Sequence, residues 1–327
     1  MTTTIPPMST LVITGASRNL GERLAIEVLA DAPERHVVTL VRLPAGVAER
    51  LREASGNPNV HVVACDLGDL ASVRSAATIV VDLLGQPGVP PLHGLVANAG
   101  IQRPDTAAAS VDGFELTFAT NVLGNQLLIG LLADHLEAPG RIVVVGSGTH
   151  HDAGRERMWM VPGPRWAPVE ELVRPHAGEE GPHRGVGRRA YATSKLANIY
   201  QVHEFARRLP DGIDIYTYDP GLMPGTGLAR EGTAIERLLW GTLLHAFRLL
   251  PDATSPTASA KHLAELTVGS RPADTGAYIA LGQVTPSSPA SYDPEREAEL
   301  WRVANELVGL TPDHAPFEDA PTPGVQR

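Results

Sequence analysis

Short runs rich in Val, Ile and Leu recur along the chain at 11–15 (LVITG), 36–41 (HVVTLV), 60–64 (VHVVA), 92–98 (LHGLVAN), 141–146 (RIVVVG) and 213–218 (IDIYTY). A strand with one face in water alternates apolar and polar residues. These runs do not, so they predict strands of a parallel sheet covered by helices on both faces. The stretches 20–32, 44–54, 69–84, 111–137 and 190–209 between them carry apolar residues at helical spacing. With a last short strand at 277–281 (AYIAL), the alternation describes a doubly wound α/β sheet of about seven strands.

Two stretches break the repeat. Residues 148–188 are rich in Gly, Pro and His, contain MWMVPGPRW at 158–166, and read as a long insertion between the fifth strand and the next helix. Residues 233–250 (TAIERLLWGTLLHAFRLL) predict an unusually apolar amphipathic helix, followed by Pro251 and a second helix near 256–268. Residues 1–310 are expected to form a single domain with a C-terminal helical extension, 222–268 to cover a substrate, and 311–327 to be a frayed tail.

The formal charge is −10 and Lys and Arg form no dense run, which argues against binding nucleic acid through its phosphates. One cysteine, Cys65, excludes an intramolecular disulfide and a multi-cysteine metal site, and a cytoplasmic location is expected. The N-terminus lacks the cationic and apolar regions of a signal peptide, and no membrane span is expected.

Directly after the first apolar run comes Thr14-Gly15-Ala16-Ser17-Arg18-Asn19-Leu20-Gly21, opening into the helix ERLAIEVLA. Gly15 permits a tight turn, Gly21 permits close approach at the helix start, and the helix's unpaired N–H groups favour a pyrophosphate. This is the phosphate end of a Rossmann-type unit. An acidic residue at the end of its second strand would bond the ribose hydroxyls; this chain has Arg42 instead. Arg42 and Arg18 together suit a 2′-phosphate dianion, and NADP(H) is the expected cofactor.

Taken together, TGASRNLG, Asp66 in CDLGD, Asn98-Ala99-Gly100 after the fourth strand, and Tyr191-x-x-x-Lys195 resemble the short-chain dehydrogenase/reductase family over roughly residues 10–285. The resemblance implies cofactor contacts for Gly15, Ser17, Arg18, Asn19, Leu20 and Gly21 in the first loop. It puts Asp66 and Leu67 beside the adenine and Asn98, Ala99 and Gly100 along the cofactor wall. Asn19 departs from the pattern, standing where the family has its middle glycine, although Asn tolerates positive φ better than most residues. After Pro220-Gly221 the family places a threonine on the nicotinamide amide; Thr226 is the candidate, one residue off the usual spacing.

The expected catalytic residues are Asn121, Ser147, Tyr191 and Lys195. Moving a hydride to or from carbon requires a proton to move on oxygen, and a free tyrosine is a poor base at neutral pH. Tyr191 and Lys195 lie four apart on one helix, so the ammonium can stabilise a phenolate. Ser147, at the carboxyl end of the fifth strand, can hold the substrate oxygen. The resemblance adds that Lys195 bonds the nicotinamide ribose and that Asn121 holds a water linking Lys195 to solvent. His150 and His151 follow the serine closely, but no ligand spacing supports a metal; they are expected to flank the pocket or lie in solvent.

YATSKLANIYQVHEFARRL, Pro220-Gly221 with GTGLAR, and AELWRVANELVGL resemble the retinol dehydrogenase and protochlorophyllide reductase-like branch. The insertion lacks the cysteine that the latter enzyme carries there. Trp240, Leu243 and Leu244, with Met158, Trp159 and Met160, are the expected lining of an apolar pocket for a bulky carbonyl compound or alcohol. Two alternatives stay open: reduction of an activated C=C bond, and a non-catalytic cofactor sensor. Hydrolysis fits poorly, since Ser147 lies in GSGTHH and not in a Gly-x-Ser-x-Gly elbow. The resemblance implies either a monomer or a homodimer paired through the helices at 111–137 and 190–209, and peripheral membrane contact through 233–250 stays open.

Overall fold

The computed structural model describes residues 4–151, 162–176, 184–222 and 254–311. The expectations for Thr226, the 233–250 helix and 311–327 tail, and the proposed pocket residues Met158, Trp159, Met160, Trp240, Leu243 and Leu244 therefore lie wholly or almost wholly outside the described residues.

Among the described residues an eight-stranded sheet runs in the order β3-β2-β1-β4-β5-β6-β7-β8. The strands are β1 (Thr10–Thr14), β2 (His36–Val41), β3 (Val60–Ala64), β4 (Leu92–Ala97), β5 (Leu136–Val145), β6 (Ile213–Asp219), β7 (Tyr278–Ala280) and β8 (Gln283–Val284). All neighbours pair in parallel except β7 and β8. Every residue of β1, β4 and β6 is buried, as expected of strands covered on both faces. The antiparallel β8, with both of its residues exposed, was not legible in the apolar pattern.

The helices are α1 (Asn19–Asp31), α2 (Val47–Ser55), α3 (Leu70–Leu84), α4 (Leu116–His135), α5 (Val169–Leu172), α6 (Arg184–Ala206), α7 (Pro256–Val268) and α8 (Pro294–Val308). Leu24 and Val28 of α1, Leu51 of α2 and Leu263 of α7 form the core on one face of the sheet. Val73 of α3, Leu127 of α4, Leu196 and Tyr200 of α6 and Leu300 of α8 form the core on the other. In that second core α8 lies over α4 and α6, with Trp301 edge-on to Phe205, ring centroids 4.8 Å apart.

Two stretches depart from the apolar pattern for local reasons. The helix expected from 111 begins at Leu116, because an Ala109–Glu115 bridge occupies the chain before it. The buried Glu115 carboxylate then caps the helix by accepting from Thr117 N–H (3.0 Å) and Phe118 N–H (2.7 Å). The insertion is not all irregular, since it holds the four-residue α5 and the first residues of α6. Although α4 is long and apolar enough to cross a membrane, 89% of its apolar window is buried inside this fold. It is a core helix, hydrophobic all round because it is covered all round.

Candidate active site

In the strand order β3-β2-β1-β4-β5 the direction of winding reverses between β1 and β4, and a crevice opens beyond the carboxyl ends of these two strands. Both crevice walls are tied together there. Thr14 Oγ1 accepts from Asn98 N–H (2.9 Å) and Ala99 N–H (2.9 Å), while Asn98 Nδ2 donates to the Thr14 carbonyl (2.8 Å). The loop after β1 turns through the positive-φ residues Gly15 (φ 74°) and Asn19 (φ 54°). Asn19 thus adopts the left-handed conformation that its place in the motif demands, which glycine would adopt more readily.

Gly21 is a contact position. A Cβ there would come within 2.5 Å of Asn98 Nδ2 and 2.6 Å of the Gly15 carbonyl oxygen. By contrast with α3, α7 and α8, whose first turns are capped by Asp69, Ser255 and Asp293, α1 has no side-chain cap. Its first-turn N–H groups are open toward an anion in the crevice. This cradle fits a dinucleotide pyrophosphate. Ser17, Arg18, Asn19 and Leu20 complete the loop, and Gly15 N–H donates to the Leu40 carbonyl (2.8 Å), bringing the loop to the end of β2, where Arg42 follows. Arg18 and Arg42 are both exposed.

Arg50 is a third cation at this end, one that no motif in the chain marks. Its guanidinium donates to the Ser17 carbonyl (3.0 Å) and the Gly46 carbonyl (2.9 Å), and it pairs with Glu22 (3.4 Å), fastening α2 to the phosphate loop. Beside β3, Asp66 Oδ1 accepts from Gly68 N–H (2.9 Å) and Leu67 is buried.

The chemistry end lies across the crevice, where β5, α4, α6 and β6 converge. Ser147 caps a turn, its Oγ accepting from Thr149 N–H (3.4 Å) and Thr149 Oγ1 (3.2 Å). His150 is not in solvent but fully buried. Ser288 N–H donates to its Nε2 (3.0 Å), so Nδ1 carries the proton that goes to the Ser147 carbonyl (2.7 Å). The histidine therefore holds the serine's backbone from behind.

Tyr191 is partly buried and Lys195 fully so, with Lys195 Nζ 5.6 Å from the centre of the Tyr191 ring. Burial pushes the Tyr191 phenol up to about 12, opposed by a hydrogen bond with Ser147 and reinforced by Asp219. The Tyr-x-x-x-Lys spacing does set the ammonium beside the ring, and loss of water raises the phenol there. The same burial lowers Lys195 to about 8, against an upward pull from Asp219.

Asp219 was also missed by motif reading. It ends β6, just before Pro220-Gly221, is nearly buried, and accepts from Tyr278 Oη (2.8 Å) and Gly221 N–H (2.9 Å). Gly221 turns with φ 72°, and the Pro220 carbonyl accepts from Ser259 Oγ (2.8 Å). The one available signal was an acidic residue directly before Pro-Gly at a strand end.

Asn121 sits in a π-helical turn, Ala119–Leu123, within α4. Its side chain bridges the Ile101 backbone, accepting at 2.8 Å and donating at 2.9 Å, and donates to Ser194 Oγ (3.0 Å). Gly100 lies beside it, where a Cβ would be 3.1 Å from Asn121 Oδ1 and 3.7 Å from Lys195 Nζ. The Asn121 carbonyl accepts from the Asn125 amide (2.8 Å) and the Asn198 amide (2.8 Å), and Asn198 Oδ1 accepts from Lys195 Nζ (3.3 Å). A side-chain amide thus stands between Lys195 and the Asn121 carbonyl.

Residues 9–158 match the short chain dehydrogenase family. The chain is 30% identical to protochlorophyllide reductase A of rice over 92% of its own length and 80% of that protein's. It is 32% identical to human dehydrogenase/reductase SDR family member 13 over 95% of the chain and 76% of that protein. Among solved structures, an uncharacterised protein of Mycobacterium paratuberculosis is similar at 26% identity and a TM-score of 0.66, covering 94% of this chain and 96% of that one. An NADPH-bound carbonyl reductase from chicken fatty liver shares the fold at 21% identity and a TM-score of 0.59, covering 85% and 98%.

Proposed function

The chain belongs to the short-chain dehydrogenase/reductase family of oxidoreductases, and from that premise we propose that it is an NADP(H)-dependent enzyme interconverting a carbonyl and an alcohol on a bulky, hydrophobic small molecule. The observation that carries the proposal is the pairing of Tyr191 with Ser147: a phenol kept protonated by burial and hydrogen-bonded to a serine hydroxyl. Two O–H donors side by side suit one substrate oxygen that gains negative charge as the reaction proceeds.

The uncapped α1 terminus, Gly15 and Gly21 would hold the pyrophosphate, and Arg18 and Arg42 the 2′-phosphate, with Arg50 bracing the loop. Bound there, the dinucleotide would supply or accept the hydride. Ser147 orients the substrate oxygen, Tyr191 gives up its proton to that oxygen in reduction and recovers one in oxidation, and Lys195 holds a positive charge beside the phenol. Asp66, Leu67, Asn98, Ala99, Gly100, Pro220, Gly221 and Thr226 are assigned to the cofactor as the family resemblance implies. A cytoplasmic location belongs to the same proposal, supported by the single, buried cysteine. Coverage of α4 and α6 by α8 within the chain favours a monomer over pairing through those two helices.

A second reading, reduction of an activated C=C bond, draws support from the 30% identity to protochlorophyllide reductase. Bulky enones separate the two, since each molecule offers both groups. With NADPH as donor, NMR of the product is expected to show an allylic alcohol. A saturated ketone would replace the main proposal with the second reading, and turnover of no carbonyl or enone with either NADPH or NADH would overturn both.

A further inference from the structure

Lys195 is a buried cation whose ammonium has three hydrogens to place, and the protein commits two of them. One goes to the Val145 carbonyl (2.7 Å) and one to Asn198 Oδ1 (3.3 Å). Asn198, fully buried and one helical turn further along α6, gives both of its amide hydrogens away. One goes to the Asn121 carbonyl (2.8 Å) and the other to Gln201 Oε1 (3.0 Å). Gln201 Nε2 in turn donates to the Val122 carbonyl (3.0 Å) and to Gln126 Oε1 (2.9 Å), and Gln126 Nε2 donates to Asn305 Oδ1 (2.7 Å) on α8.

The direction of this amide chain is not arbitrary. An ammonium only donates, so Asn198 must present its oxygen to Lys195 and its nitrogen to Asn121 and Gln201; the orientation of each later amide follows from the one before. Hydrogen bonds aligned head to tail polarise one another in a dry interior and strengthen the acceptor at the end of the series. That acceptor is Asn198 Oδ1.

We propose that Asn198 is a positioning residue for the catalytic lysine: its carboxamide fixes the Lys195 ammonium against β5 and takes the bridging place between Lys195 and the Asn121 carbonyl. The inference rests on the proposed role of Lys195 beside Tyr191. It implies that the third ammonium hydrogen, left after Val145 and Asn198, is the one available toward the open crevice. The Asn121 carbonyl accepts from both the Asn125 and the Asn198 amides, which holds the Asn198 carboxamide in place. Asp219 on β6 acts on Lys195 by charge, and the Tyr191 ring lies beside it on the same helix. Asn198 adds a neutral acceptor to that set, one that favours the charged form of the lysine.

The chain contains two lysines, Lys195 and the exposed Lys261, so labelling lysine with 13C at Cε gives two resonances that Lys261→Arg assigns. Titrated without cofactor, Asn198→Leu is expected to lower the Lys195 midpoint by about one unit, as loss of a hydrogen bond to a charged group should. Asn198→Asp is expected to raise it by about one unit or more, as a new carboxylate beside the ammonium should. Should Asn198→Leu fail to fold, Asn198→Ser is read in its place, with the same downward shift expected. A folded variant whose Lys195 midpoint stays at the wild-type value overturns the proposal. The readout needs neither substrate nor turnover. Failure of the wild-type protein to reduce any carbonyl would overturn the proposed function and leave this result standing.

Discussion

At the dinucleotide end of the crevice, the groups that would meet a ligand are backbone N–H groups at the start of α1, glycines with no side chain in the way, and the exposed Arg18 and Arg42. At the chemistry end they are side chains. Lys195, Asn121 and Asn198 are buried and bonded to one another or to backbone, and Ser147 is held by a buried histidine. Exposed cations on a preformed cradle act through charge and are screened by salt, so they select a ligand. Buried groups act through loss of water, which moves their protonation by units, so they select a reaction. One crevice therefore contains both a tunable end and an end where few substitutions are neutral.

The sharpest way to break this contrast is to remove the reacting hydroxyl. Tyr191→Phe is expected to lower turnover by about 10²–10⁴-fold, while NADPH affinity, read by fluorescence titration, changes little. Equal losses in turnover and affinity would mean that the two ends are not separable.

Next in size is the charge at the dinucleotide end. Wild type is expected to bind NADPH at least about tenfold more tightly than NADH, a difference of about 1.4 kcal/mol. Arg18→Ala with Arg42→Ala should abolish most of that preference and leave NADH binding nearly unchanged. A preference for NADH in wild type would contradict the assignment of both arginines.

The mildest probe is pH. Lys195, lowered to about 8 by burial, is charged below that value and neutral above it. If its charge supports proton donation by Tyr191, kcat/KM for NADPH in carbonyl reduction should be flat toward neutral pH. It should fall by about half near pH 8 and about tenfold for each further unit. The Tyr191 phenol, pushed up to about 12, keeps its proton throughout this range and adds no limb to the profile. A profile flat to pH 10 would show that the lysine's charge is not needed.

Much of this molecule was legible in the chain itself. Unalternating Val/Ile/Leu runs mark strands buried on both faces, and each of the seven expected strands lies within a residue or two of its run, apart from the five additional N-terminal residues of β5. The order of Gly15–Gly21, Asp66, Asn98–Gly100, Ser147 and Tyr191-x-x-x-Lys195 along alternating strands and helices marks the site, because in a parallel sheet the loops that follow the strands all open at one edge. Asn19 at positive φ was readable too, as a demand of its place in the loop.

Burial, and contacts between residues far apart in sequence, came only with packing. The spacing of Tyr191 and Lys195 sets them on one helix face, but whether the phenol is raised or lowered depends on how much water the packed elements exclude, and they exclude enough to raise it. Asp219 became part of the site because β6 pairs with β5, bringing its carboxylate near Tyr191 and Lys195. Asn198 looked like an ordinary helix residue three beyond the lysine. It became a bridge only when α4, with its π turn, and α6 were packed together, leaving the Asn121 carbonyl and the Lys195 ammonium on either side of one amide. Helical and strand periodicities are local and can be read from order alone; protonation and hydrogen-bond partnership follow from the three-dimensional neighbourhood, which no spacing along the chain specifies.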